Sequence, residues 1–200
     1  VYSGSQKCLS CTPGLAPITL NERAVHKIKT RKNRISSWFL DLNLLMGYWG
    51  TGKRAYHHTA PINPLYGLHE ALVLLTEEGL EESWARHRRH HLALRAGLEA
   101  MGLRFFVPES VRLPQLNAIV VPQGINEVEL RRRLLDEYNL EVGAGLGALA
   151  GRIVRIGLMG YSCNVKNVLY CLGALEEVLA EMRMPIDKGA AERAAHNALA

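Results

Sequence analysis

The feature that most constrains this chain is a change of hydrophobic period near residue 102. Before it, apolar residues recur at helical spacing: Leu68, Leu72 and Leu75 in one stretch, then Leu94 and Leu98 in the next. After Gly102 the period drops towards two, in the runs 103–107 and 116–121. Helical spacing returns over 127–138, strand signals recur at 140–142 and 153–158, and a last helical pattern runs over 164–182. From residue 80 the predicted order is therefore helix, strand, strand, helix, strand, strand, helix. An order of this kind predicts an α/β unit with helices on one face of a mostly antiparallel sheet.

The first eighty residues read differently. Residues 1–20 suggest strand, loop and short strand, with Thr12-Pro13-Gly14 as a turn. Asn21 is placed to N-cap a short basic helix reaching Thr30. Residues 37–49 are so densely apolar and aromatic that a buried or interface helix is expected, stopped by Gly50 and Gly52. The polar stretch from Arg54 to Pro61 should be a binding loop. On the following helices, Trp84, Leu92, Leu94 and Leu98 are expected to face inward, and Gly79 marks a break between two helices. Three segments result: residues 1–79, residues 80–184, and an Ala-rich tail, 185–200, expected to fray.

Composition enters mainly to exclude. Hydrophobic residues make up 48% and charged residues 22% of the 200, as a folded core requires. The net charge is +5, but the basic clusters do not interleave with aromatics, which are only 6%, so nucleic acid is not an expected partner. No apolar run approaches the roughly 20 residues that span a bilayer, so no membrane role is expected. The four cysteines are expected as free thiols, because Cys8-x-x-Cys11 has no second such pair. Adjacent His57 and His58 should point to opposite sides of an extended chain and chelate poorly. His87 and His91 share a helix face with no acidic base between them, so no metal is expected, and His87, His90 and His91 read as surface or packing residues. The chain opens on Val1-Tyr2 without an initiator Met, as a piece of something longer would.

Four motifs carry chemistry. Ser3-Gly4-Ser5-Gln6-Lys7 sets a lysine in a small, flexible run, where its amine can meet a carbonyl. Tyr56-His57-His58-Thr59 offers two hydroxyls. Gly143-Ala144-Gly145-Leu146-Gly147 is a glycine-rich loop. Val154-Arg155-Ile156-Gly157, followed by Gly160, sets an arginine inside an apolar strand, where it must be paired or face a cavity.

In this order and spacing, the set resembles the C-terminal half of the alanine–glyoxylate (serine–pyruvate) aminotransferases, class V enzymes that use pyridoxal 5′-phosphate on the type I fold. The resemblance runs from Val1 to about Met182. It implies the end of the large cofactor-binding domain over residues 1–79 and the small α/β domain over residues 80–184. It implies that Lys7 holds the cofactor as a Schiff base and then serves as the general base, and that Gln6 binds the cofactor phosphate. Tyr56 and Thr59 would reach across a homodimer interface to the neighbouring subunit's phosphate, and Arg155 would bind the substrate carboxylate. Amino and keto acids would be the substrates, with alanine or serine as donor and glyoxylate or pyruvate as acceptor. The aspartate that pairs the pyridine nitrogen in the family lies upstream of its lysine and so has no counterpart here. Other class V enzymes, a serine–glyoxylate aminotransferase or a cysteine desulfurase using Cys163, are the neighbouring alternatives. A non-catalytic dimerising or binding remnant is the alternative outside catalysis. The family also occurs in peroxisomes and mitochondria, and Ala198-Leu199-Ala200 is not a peroxisomal Ser-Lys-Leu ending.

Overall fold

The computed structural model describes all residues except Gly50, Thr51 and Arg54. The expected helix stop at Gly50 and the loop position Arg54 therefore lie outside the described residues. The chain divides into two compact units, Val1–Val73 and Leu74–Ala200. The boundary falls before the expected one at 79/80, inside a helix.

In the first unit the expected strands of residues 1–20 shrink to one bridge, Tyr2 with Ile18. The chain still doubles back there, because Ser3 N–H donates to Pro17 O at 3.0 Å and Thr19 N–H to Val1 O at 2.9 Å. Asn21 caps α1 (Glu22–Lys29) as expected, its side chain accepting from Ala24 N–H at 2.9 Å. The apolar segment 37–49 is helical only over α2 (Leu42–Trp49), which contains no buried residue. Trp38, Phe39 and Leu40 precede it in a turn and are 59%, 60% and 67% exposed. Of the two alternatives, a buried or an interface helix, the buried one is thus corrected: among the described residues, none of the segment 37–49 is buried. The next helix, α3 (Ile62–Glu78), likewise contains no buried residue and carries the chain into the second unit.

The second unit has the predicted architecture. Helix α4 (Leu80–Ala100) leads into β1 (Arg104–Phe105) and β2 (Leu116–Val120), then α5 (Glu127–Tyr138), β3 (Gly143–Ala144), β4 (Ile153–Gly157) and α6 (Val165–Glu181). The sheet is antiparallel throughout, in the order β1-β2-β4-β3. Strand periodicity separates its faces. Ile119, Val154, Ile156 and Leu158 join Leu94, Leu98, Leu130, Leu134, Leu172 and Leu175 in one core. Each fully buried leucine contributes about 1.5–3 kcal/mol. Helix ends follow sequence chemistry: Asn126 and Asn164 cap α5 and α6 by accepting from Glu129 and Asn167 N–H groups, each at 3.0 Å.

Several expectations fail locally. Trp84 and Leu92 are exposed rather than inward. Strand β3 forms at Gly143–Ala144, inside the expected loop, and not at 140–142. The segment 185–200 is no frayed tail: α7 (Ala190–Leu199) packs on α4, with Ala191 and Ala195 buried. Small residues make that close approach possible. Gly97 of α4 lies where a Cβ would come within 3.0 Å of Ala191 O. The buried Glu176 accepts from Gly189 N–H at 2.7 Å and fixes the entry to α7. Among the described residues, no helix is long and apolar enough to cross a membrane.

Candidate active site

The lysine turn is built around Ser5, which is fully buried. Its N–H donates to Leu15 O at 3.2 Å, its O accepts from Cys11 N–H at 3.1 Å, and its hydroxyl donates to Thr12 O at 2.7 Å. These bonds hold both chain directions at one residue and turn the next two outward. Gln6 and Lys7 are both exposed. The turn closes through Ser10 N–H to Lys7 O at 2.9 Å, with Ser10 in the left-handed region at φ 58°. A Cβ on Gly4 would stand 2.7 Å from Gln6 Oε1, so glycine there leaves room for the Gln6 amide.

In the same unit, Tyr56 and Thr59 come together, their hydroxyls hydrogen-bonded to each other on the exposed side of the loop. The two residues between them do not behave as expected. The His57 and His58 rings lie side by side, with centroids 4.3 Å apart, instead of on opposite faces. Both stack on Trp38, His57 at 4.0 Å and His58 at 5.6 Å. The sequence signal for this was the aromatic cluster before the loop, which the expectation of a buried or interface helix absorbed.

In the second unit, Arg155 lies on β4 between Ala118 of β2 and Gly143 of β3. Both neighbours are small, so the guanidinium has space above the sheet. Arg155 Nε donates to Ala144 O at 2.7 Å. No carboxylate pairs with Arg155 among the described residues. A Cβ on Gly143 would come to 3.2 Å from Arg155 Nη2, and one on Gly145 to 2.0 Å from Leu149 O. Gly143 and Gly145 are thus dictated by close approach of side chain and backbone, and Gly147 by its left-handed backbone at φ 54°.

The turn that follows β4 is held by residues that sequence reasoning did not single out as a unit. Arg86 Nη1 donates to Gly160 O at 2.9 Å and Cys163 O at 2.7 Å, while its Nε and Nη2 pair with Glu78. The buried His87 accepts from Gly160 N–H on Nε2 at 3.0 Å and donates from Nδ1 to Ser83 O at 2.6 Å. His91 donates from Nδ1 to Asn117 Oδ1 at 2.8 Å, and burial pushes its pKa below the usual imidazole value. The three helix histidines therefore pack inside the unit. None of the four cysteines is joined in a disulfide, and burial raises the Cys171 thiol to about 12. Among the described residues, no group of three or more His, Cys, Asp or Glu could hold a metal ion.

Half the length of two glyoxylate transaminases is matched by this chain. It is 42% identical over 210 residues to the (S)-ureidoglycine–glyoxylate transaminase of Bacillus subtilis (strain 168), covering 96% of this chain and 50% of that protein. It is 41% identical over 182 residues to the alanine–glyoxylate aminotransferase of Callithrix jacchus, covering 90% and 44%. The crystal structure of ureidoglycine–glyoxylate aminotransferase from Bacillus subtilis superposes with a TM-score of 0.94 at 44% identity, over 98% of this chain and 51% of that one. The chain is thus similar to half of a class V aminotransferase. No protein-family model matches it. Its α/β fold corresponds to the C-terminal half of a type I aminotransferase. Class V aminotransferases in general use pyridoxal phosphate and act on amino and keto acids.

Proposed function

We propose that the chain forms the C-terminal half of a homodimeric, pyridoxal 5′-phosphate-dependent transaminase that passes an amino group from alanine or serine to glyoxylate or pyruvate. The observation that carries this reading is Arg155, a cation in an apolar strand whose Nε is anchored on Ala144 O and which has no acidic partner among the described residues. An unpaired guanidinium so placed calls for a carboxylate from outside the chain. The relatives' names share glyoxylate, with alanine as donor in one and ureidoglycine in the other.

The donor set fits the cofactor. A phosphate dianion needs several neutral or cationic donors at once, and the Gln6 amide and the converging Tyr56 and Thr59 hydroxyls supply them. When bound, the cofactor supplies an aldehyde that captures amines and a ring that accepts the electron pair of a broken C–H bond. Lys7 would hold that aldehyde through Nζ and, once displaced by the substrate amine, take the proton from the substrate α-carbon at the same atom. Arg155 would bind the substrate carboxylate end-on through Nη1 and Nη2, since Nε is engaged, and so fix the α-carbon. Tyr56 and Thr59 would serve the phosphate of the partner subunit. A desulfurase reading needs a mobile cysteine, and Cys163 is fully buried.

The test is borohydride reduction of the natively purified protein with pyridoxal phosphate, followed by peptide mapping, together with an assay of alanine and glyoxylate turnover. Label on Lys7 and turnover of glyoxylate are expected. A folded protein that takes no label on Lys7 overturns the catalytic reading.

A further inference from the structure

The Tyr56–Thr59 loop contains a feature that the proposed reaction does not use. His57 is only 6% exposed, yet it sits between two outward-facing hydroxyl residues, one of them, Tyr56, 72% exposed. Its ring stacks on Trp38 at 4.0 Å and 23°, and the neighbouring His58 meets Phe39 edge-on at 4.3 Å and 61°. The two histidines face each other through Nδ1, closing a hydrogen bond between adjacent residues. Such a bond holds one proton: one Nδ1 donates and the other accepts. The buried His57 Nε2 has no partner among the described residues. A buried N–H without an acceptor is costlier and rarer than an idle lone pair. The one proton between the two Nδ1 atoms ties the rings to each other.

We propose that His57 and His58 are positioning residues for the phosphate-binding hydroxyls. Their shared proton and their stack on Trp38 and Phe39 fix the backbone between Tyr56 and Thr59, so that both hydroxyls point to one spot. There a phosphate monoester replaces the Tyr56–Thr59 hydrogen bond with one bond from each hydroxyl. The histidines touch neither cofactor nor substrate. The inference rests on the assignment of Tyr56 and Thr59 to the cofactor phosphate.

The experiment measures the dissociation constant of pyridoxal phosphate by equilibrium dialysis. Variants are introduced at the native locus, so that any further sequence is kept. They are Tyr56→Phe, His57→Phe, His58→Phe, His58→Asn and the double variant Tyr56→Phe/His58→Phe. Phenylalanine keeps the aromatic stack and removes the shared proton, whereas asparagine restores an acceptor oxygen near the Nδ1 position. Each Phe variant at a histidine is expected to weaken the cofactor about tenfold, the worth of one hydrogen bond to a charged group. The double variant should be no weaker than about the worse single, and His58→Asn should recover most of the loss. Native affinity in His57→Phe and His58→Phe overturns the inference, as does a loss that adds fully to that of Tyr56→Phe. So does an equal loss in His58→Asn, which would mark a packing role alone. Failure of the underlying reading shows elsewhere: the unmodified protein would not bind the cofactor, or Tyr56→Phe would bind it unchanged.

Discussion

Arg155 Nε donates to the carbonyl of Ala144 at 2.7 Å, and the residue directly across from Arg155 is Gly143. One side of the guanidinium is thus held by the backbone of the neighbouring strand, and the space beside it is kept open by the absence of a Cβ. Arg155→Lys keeps a charge but loses both the anchor and the fork. Loss of a charge-assisted pair costs about 1.5–3 kcal/mol, or roughly 10- to 150-fold in kcat/KM. Gly143→Ala should act more gently, because its Cβ meets Nη2 at 3.2 Å and the side chain can yield. It should raise KM for the amino and keto acid severalfold while leaving kcat nearly intact. Steady-state kinetics with alanine and glyoxylate separate the two effects.

Glu78 and Arg86 span the break between α3 and α4, where Gly79 has φ 89°. Arg86, chiefly by hydrogen bonding, holds the Glu78 carboxyl below its ordinary value. A depressed carboxylate pKa adds stability that is complete above the unfolded value of 4.5 and is lost as pH falls through the folded one. Glu78→Gln should therefore lower stability at pH 7 and flatten its decline between pH 5 and the folded pKa. Urea unfolding of both proteins at pH 7, 5 and 4 measures this. Equal slopes with pH would show that the pair does not couple to folding.

The second unit was legible in the sequence because each of its elements carries a local signal. The helical leucines and the period-two strands both act within a few residues. The first unit was less so: apart from Leu68 and Leu72, which mark α3 by their helical spacing, its apolar residues carry no period that separates inside from outside. Trp38, Phe39 and Leu40 read as part of a buried or interface helix, and they lie exposed in the turn before α2. The tail misled for the opposite reason. Its alanines look featureless, but Ala191 and Ala195 bury completely because Gly97 on α4 leaves them room. The site residues were visible only as a set of motifs. What the sequence could not contain was the pairing of His57 with His58, which depends on a ring from another segment.

His91 and Asn117 form a buried polar contact between α4 and β2. Asn117 is fully buried, and besides accepting from His91 it donates to Pro114 O at 3.2 Å and Ile156 O at 3.4 Å. Asn117→Ala leaves the His91 N–H and a cavity behind, and should cost about 2–4 kcal/mol. In the intact pair, burial lowers the His91 pKa in the fold. The unfolded chain therefore binds more protons between 6.5 and the lower folded value, and stability should fall as pH drops through that window. His91→Gln should remove that part of the slope, as read by unfolding at pH 7.5 and 5.5.

Gly97 tests whether α7 belongs to the folded unit. A Cβ there would lie 2.4 Å from Leu172 Cδ1 and 3.0 Å from Ala191 O. Leu172 is fully buried and has nowhere to retreat, and the carbonyl belongs to the backbone of α7. Overpacking of this kind costs about 1–3 kcal/mol, and the cheapest relief is to move α7 away from α4. Gly97→Ala should thus destabilise the protein and raise amide exchange across Ala190–Leu199 while that of α6 changes little. Hydrogen exchange read by mass spectrometry resolves the two segments. If α7 stays protected and exchange rises in α6 instead, the strain has gone into Leu172, and the docking of α7 is firmer than the core beneath it.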